Sequence, residues 1–406
     1  MSTERIDARA DDDCVLIAGR RTPFGRFGGS LRALRIPELA SVAIRATLAD
    51  AGLEPEAVDE LILGVNLPGS DRSIARQALL RSDIPASRNA FTVDRACCSS
   101  LTAVALAMRA VRSGDVEWVV AGGAENLSRV PYFLEDLRWG HRLGAITLTD
   151  QLVISCPHTG TPRAVQAARE AARFGIDRKA QDEWAFRSHA RYFEAAERGV
   201  FEAEIAPVDL ARFGGSGVVR ADESARRTSL EALAALPTVY QSESVTAGNA
   251  PGLSTGASAL LLTTRRRARD RGLRPLATIQ AHARVSDHPD HIASVPAKAA
   301  RRVLERAGIG LDAIDLVEIN EAFAAMPLVS THVLGGGDPA RIEAIRRKTN
   351  PNGGAIAIGH PTGATGGRLL LTAALELRRR GGGRALVTLC GGIGEGEAFV
   401  LNVDRD

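Results

Sequence analysis

The sequence predicts an α/β layered protein built from two similar halves. Three observations carry this. Apolar runs of strand length alternate with segments of helical spacing. A stretch near residue 50 recurs near residue 305. The composition is 45% hydrophobic but only 4% aromatic, with 40 glycines among 406 residues, so the core consists of small side chains that let helices pack closely on a sheet. The length suggests two or three domains.

The polar, acid-rich opening through Asp13 reads as a flexible tail. Val15-Leu16-Ile17-Ala18 is the first buried strand, and Pro37 to Ala51 has helical spacing. Glu60 to Val65, Ala90 to Val93 and Glu117 to Gly122 read as further strands. Between the last two, Leu101 to Val111 is apolar on nearly all sides, which predicts a buried helix. The segment Leu48 to Ile62 resembles the segment that begins at Leu304, with a constant displacement of 256 positions (48 to 304, 59 to 315). Val119 to Gly123 likewise resembles the apolar run ending Cys390-Gly391-Gly392. These matches divide the chain into halves at 14–270 and 274–406. A more polar excursion over about 126–248 lies within the first half, carrying the helical stretch Arg178 to Arg198 and the glycine-rich turn Phe213 to Gly217. An excursion of that length is expected to cover a site.

Composition also excludes some functions. Net charge is +3 without a long basic tract. Arg265-Arg266-Arg267 and Arg378-Arg379-Arg380 read as helix ends or loops on a solvated surface, not as a nucleic-acid patch. The five cysteines form no CxxC pair, so neither a zinc site nor a disulfide framework is expected. With no apolar leader and no run of ~20 apolar residues, the expectation is a soluble cytoplasmic protein that does not enter a membrane.

Four places could carry chemistry. Cys97 stands where a strand gives way to a helix starting near Ser99, so the helix dipole and free backbone amides are expected to favour its thiolate; the plain alternative is a buried structural cysteine. His360 is bracketed by glycines between Asn352 and Gly367, ahead of a helix over Arg368 to Leu377. The run lacks the GxxxxGK[ST] pattern of a phosphate loop. Cys390 ends an apolar strand and is followed by flexible backbone. Asn320-Glu321 follows another, where an isolated Glu321 reads as a surface acid.

The ordered motifs Cys97-Cys98-Ser99-Ser100, Asn320-Glu321-Ala322-Phe323, Gly359-His360-Pro361 and Cys390-Gly391-Gly392 resemble the thiolase family. So do Arg21-Thr22-Pro23-Phe24-Gly25-Arg26-Phe27-Gly28-Gly29 and Asn249-Ala250-Pro251-Gly252, and the likeness covers nearly the whole chain. The resemblance implies a five-layered α/β/α/β/α fold with two duplicated halves and an inserted loop domain. It implies Cys97 as the acyl-accepting nucleophile and His360 as its activating base and an oxyanion donor. Cys390 becomes the acid/base for the α-proton, and Asn320 the holder of a water in that oxyanion hole. The backbone amides of Cys97 and Gly392 form a second hole, and Asn249 and Gly252 contact the cofactor. No metal and no permanently bound cofactor is implied; coenzyme A and acyl-CoA enter as substrates of a homodimer or homotetramer.

The chain departs from the family pattern in several places. Asp94 stands where Asn is common, and Cys98 and Ser100 replace smaller neighbours of the nucleophile. Arg163-Ala164-Val165-Gln166-Ala167-Ala168 replaces the usual Met-Gly-x-Thr-Ala-Glu, whose Met borders the acyl pocket. Pro251 takes the place of a serine that touches the pantetheine arm, and Ile393 and Glu395 alter the run after Cys390. Two rivals to a coenzyme A-dependent thiolase therefore remain open at this point. One is a ketosynthase-like condensing enzyme; the other is a non-catalytic acyl-CoA or lipid binder.

Overall fold

The computed structural model describes residues 11–153 and 155–405. Most of the expected N-terminal tail, residues 1–10, lies outside the described residues. In chain order the principal elements of the first half are β1 (Cys14–Arg21), α1 (Ile36–Ala51), β2 (Glu60–Gly64), β3 (Asn89–Val93), α2 (Ser99–Ser113) and β4 (Val119–Asn126). The excursion contributes α3 (Arg163–Arg173) and α4 (Arg178–Glu197), and β5 (Ser254–Thr264) returns to the sheet. The second half comprises β6 (Ala277–Ser286), α5 (Val295–Ala307), β7 (Leu316–Ile319), α6 (Ala325–Gly335), α7 (Thr365–Arg379), β8 (Gly383–Cys390) and β9 (Glu395–Val403).

Strands run β7-β8-β9-β6-β1-β5-β4-β2-β3. The halves meet at β1 and β6 through only two residue pairs, Val15 with Thr278 and Leu16 with Ala277. On either side of this seam the order repeats. β4 has a parallel neighbour, β2, and an antiparallel one, β5. β8 has the parallel β7 and the antiparallel β9. The repeat extends to local detail: α1 and α5 both end at a left-handed glycine, Gly52 (φ 60°) and Gly308 (φ 66°). Glycine is favoured there because a Cβ would crowd the backbone in that conformation.

Successive strand residues point to opposite faces, and this builds the layers. Val15 and Ile17 of β1 pack with Leu39, Ile44 and Leu48 of α1. Leu16 faces the other way, into a cluster with Leu101, Val104 and Met108 of α2 and Leu369, Leu370 and Ala373 of α7. The far side of that cluster is Val387, Leu389, Phe399 and Leu401. Beyond it, Val317, Leu386 and Val400 pack on Ala299 and Val303 of α5. The arrangement is therefore α/β/α/β/α, with α2 and α7 as the middle layer.

Of the boundaries that differ from the sequence expectation, two bear on the site. β4 runs on to Asn126 because its polar end, Glu125-Asn126, is buried and remains paired with β5. α7 begins at Thr365, three residues early, because Gly366 and Gly367 are helical rather than loop. A Cβ on Gly366 would lie 2.9 Å from the Leu101 backbone nitrogen, so glycine permits α7 to cross the start of α2. Gly367 N–H donates to Ser100 Oγ at that crossing (3.0 Å). The excursion is clamped to β1 by Arg21, whose fully buried guanidinium bonds Glu204 (2.8 Å) and Asp222 (2.6 Å).

Candidate active site

The middle-layer crossing brings the two halves' motifs together. Between β3 and α2 the chain makes a sharp turn in which Ala96 adopts φ +48°. A left-handed alanine costs of order 1 kcal/mol, and the neighbouring side chains compensate. Asp94 Oδ1 accepts from Ala96 N–H (2.9 Å), Ser99 Oγ accepts from Arg95 N–H (2.9 Å), and Ser99 Oγ donates to the Ala96 carbonyl (2.6 Å). Arg95 reaches across to the second half, to Glu395 (2.9 Å) and Glu397 (2.8 Å) on β9. Cys97 is thus presented at the start of α2, half-buried, while Cys98 points into the core.

His360 follows the short helix Ala355–Ile358, and its backbone N–H donates to Ser254 Oγ (3.0 Å). Its ring is fixed at both nitrogens. Thr365 Oγ1 donates to the Pro361 carbonyl (3.0 Å), which uses its one proton. With that proton so placed, the 2.7 Å contact between Thr365 Oγ1 and His360 Nδ1 is assigned as Nδ1–H donating. The tautomer so assigned leaves Nε2 as an acceptor, 3.3 Å from Cys97 Sγ and 3.3 Å from Asn320 Nδ2. Replacing Thr365 with valine should lower kcat by about 10–100-fold by freeing the tautomer, whereas Thr365→Ser should stay near wild type. Steady-state rates of the pair check this.

Burial determines the charge states. It pushes the Cys97 thiol well above its usual range, and a charge on Cys390 adds to this. It pushes His360 down to about 3, with the Arg368 cation contributing. The expectation that the helix terminus would lower the Cys97 thiol and favour its thiolate is therefore corrected. Cys97 precedes the cap residue Cys98 rather than entering the helix, and lost hydration outweighs the dipole. At neutral pH the pair is a thiol donating to a neutral imidazole.

Asn320 leaves β7 with its backbone N–H on the Thr388 carbonyl (3.2 Å), beside β8. Cys390 closes β8 and is buried, which raises its thiol to about 11 against the pull of the Gly392 N–H and the Arg163 cation. Gly392 has φ +83°, turning its amide towards that sulfur. The two thiols are close enough that charge on Cys390 affects Cys97.

Other expectations are corrected. Glu321 is no surface acid: it is 1% exposed and accepts from Trp184 Nε1 (2.9 Å), Ser188 Oγ (2.7 Å), Asn350 Nδ2 (2.9 Å) and Ile356 N–H (3.1 Å). It ties α4 to the backbone leading to His360. The side chain of Asn249 is fully buried and consumed by Asp182 (2.9 Å), the Ser244 carbonyl (3.0 Å) and Thr246 N–H (2.8 Å). Its side chain holds a turn and has its polar atoms already partnered. Gly252 is exposed, and its carbonyl accepts from Ser254 Oγ (2.7 Å), the same hydroxyl that holds His360.

Sequence reasoning missed Thr365 and Glu125. Glu125 accepts from Asn66 N–H (3.1 Å), Leu67 N–H (3.0 Å), Thr362 Oγ1 (2.6 Å) and Gly363 N–H (2.9 Å), fixing the turn after His360. Thr365 had a signal, since a hydroxyl at the first turn of the helix after His360 is placed to meet it. Glu125 had none, because a polar strand end reads as the start of a loop.

Family models for the thiolase N-terminal domain and the thiolase C-terminal domain match residues 14–266 and 273–403. An acetyl-CoA acetyltransferase of Cupriavidus necator is 40% identical over 97% of this chain and 99% of its own. The human mitochondrial 3-ketoacyl-CoA thiolase, in a structure with CoA, superimposes with a TM-score of 0.91 at 34% identity, covering 97% of this chain and 98% of that one. The Bacillus anthracis acetyl-CoA acetyltransferase gives 0.92 at 35%, covering 97% and 99%. With both halves matched and the motifs assembled around one thiol–imidazole pair, the chain belongs to the thiolase family.

Proposed function

We propose that the protein is a coenzyme A-dependent thiolase that breaks, or in reverse makes, the carbon–carbon bond of a 3-ketoacyl-CoA through an acyl group on Cys97. The observation that carries this is the 3.3 Å contact between Cys97 Sγ and an acceptor Nε2 of His360. In the cleaving direction the sulfur attacks the 3-keto carbon while its proton passes to Nε2. Because the resting pair is neutral, proton transfer accompanies formation of the C–S bond rather than preceding it. Collapse of the adduct expels the acetyl-CoA carbanion, which takes the proton of the Cys390 thiol. The thiol of a second CoA then attacks acyl-Cys97 and restores the Cys390 proton, and His360 returns its proton to Sγ. Oxyanion charge falls to His360 and a water held by Asn320 in one half-reaction and to the Cys97 and Gly392 amides in the other, each donor worth about 2.7–4 kcal/mol.

CoA is a substrate in this scheme, and no permanently bound cofactor takes part. The assembly we propose is a homodimer or homotetramer. β3 is the last strand of the sheet order, and Phe91 on it is 40% exposed, as suits an edge that pairs with a second copy. No helix among the described residues is long and apolar enough to cross a membrane. The described cysteines are all free thiols, which supports a reducing, cytoplasmic setting.

The direct test is acid quenching after mixing with acetoacetyl-CoA. The peptide containing Cys97 should gain an acetyl group, about 42 Da, that free CoA removes. A peptide that stays unlabelled while the folded enzyme binds the thioester would end this reading.

A further inference from the structure

The reaction just described has no use for a fixed cation beside its two thiols, yet Arg163 supplies one. It is the first residue of α3 and is half-buried. Its Nη2, Cζ and Nε atoms lie 3.8, 3.9 and 3.9 Å from the point where a Cβ on Gly392 would project. Three nearly equal distances place the planar group face-on along the glycine, two residues beyond Cys390. Its charge acts on both sulfurs, favouring the thiolate at Cys97 and at Cys390.

The guanidinium is held from one side only. Nη1 donates to Gln166 Oε1 (3.0 Å), and Gln166 Nε2 donates onward to Asp290 Oδ1 (2.6 Å), so the nearest linked acid is one amide away. Among the described residues no carboxylate forms an ion pair with Arg163, and the Nε–H and Nη2–H edge makes no hydrogen bond. The acids around the two thiols are already committed. Glu170 accepts from Ala293 N–H (2.6 Å) and Ser294 N–H (3.2 Å), and Glu395 is paired with Arg95. The Nε and Nη2 atoms are not sealed off by the protein, so this edge stays accessible to a ligand. The open Nε/Nη2 edge is a planar two-donor fork whose geometry matches a carboxylate bidentately.

We propose that Arg163 selects acyl-CoA substrates whose acyl group carries a carboxylate, its open fork holding that carboxylate while the thioester or keto carbon lies at Cys97. The substrate class is a short 3-oxodicarboxylyl-CoA. Cleavage leaves a carboxyacyl group on Cys97 and releases acetyl-CoA, and attack by CoA yields a dicarboxylic monothioester. This rests on the thiolase reading and deepens it.

The test compares 3-oxoadipyl-CoA with 3-oxohexanoyl-CoA, equal in carbon count and differing by a terminal carboxylate for a methyl. The wild-type enzyme should favour the carboxylate by at least about tenfold in kcat/KM, since the fork is unpaired without it. Arg163→Met should lower kcat/KM for 3-oxoadipyl-CoA by about 100-fold and for 3-oxohexanoyl-CoA by far less, so that the preference for the carboxylate is lost. Arg163→Lys, which keeps charge but loses the fork, should fall between. Equal use of both compounds by the wild type, a comparison that needs no variant, overturns the assignment. So does an Arg163→Met that slows both alike, as a role confined to activating the thiols requires. In either case acetoacetyl-CoA should still label Cys97; loss of that label as well would overturn the thiolase reading beneath.

Discussion

Cys97→Ala should abolish acyl-enzyme formation and lower thiolysis by about 10⁴-fold or more, because no other group can take the sulfur's place. Cys98, its neighbour, is fully buried, and Cys390 is only 3% exposed. His360 and Asn320 remain in contact in the variant, so any residual rate measures polarisation of the substrate without a nucleophile. The substitution removes one half-buried atom, and unfolding in urea should shift by no more than about 1 kcal/mol. Rate loss without stability loss is the expected pattern. Normal turnover in Cys97→Ala would remove the nucleophile assignment outright. The low value of His360, about 3, adds a pH signature. The base is already neutral throughout the physiological range, so the acid limb of kcat/KM owed to this histidine should fall below pH 4, far from the usual ~6.5.

Cys390→Ala should separate the two half-reactions. Acylation of Cys97 by a simple thioester continues, since the Cys97–His360–Asn320 contacts do not involve position 390. Condensation, and exchange of the acetyl-CoA methyl protons with solvent, should fall by about 10²–10⁴-fold, the contribution of a positioned acid/base. With Cys390 raised to about 11, the free enzyme holds it as a thiol at neutral pH. That form is the proton donor needed for cleavage. The thiolate needed for condensation grows as pH rises towards 11, so proton exchange in the wild type should climb with pH and the variant should show no such rise. If Cys390→Ala exchanges methyl protons at the wild-type rate, another residue is the base.

The sequence by itself determined the units of this protein and their order. Strand and helix periodicity located β1, α1, β2, β3 and α2 within a few residues, because side-chain alternation depends only on local backbone repeat. The recurrence around Gly52 and Gly308 announced two halves because each helix ends in a conformation that favours glycine. Only the tertiary structure decided which polar groups meet. Asn320 and Glu321 are adjacent, yet one amide turns to His360 while the neighbouring carboxylate is enclosed by α4 and Asn350. Asn249 is spent on a turn, whereas Arg163, which reads as a lost pocket methionine, leaves a donor edge open beside Gly392. The protonation states of Cys97 and His360 were equally hidden. They follow from how much water the crossing of α2 and α7 excludes, a property summed over residues far apart in the chain.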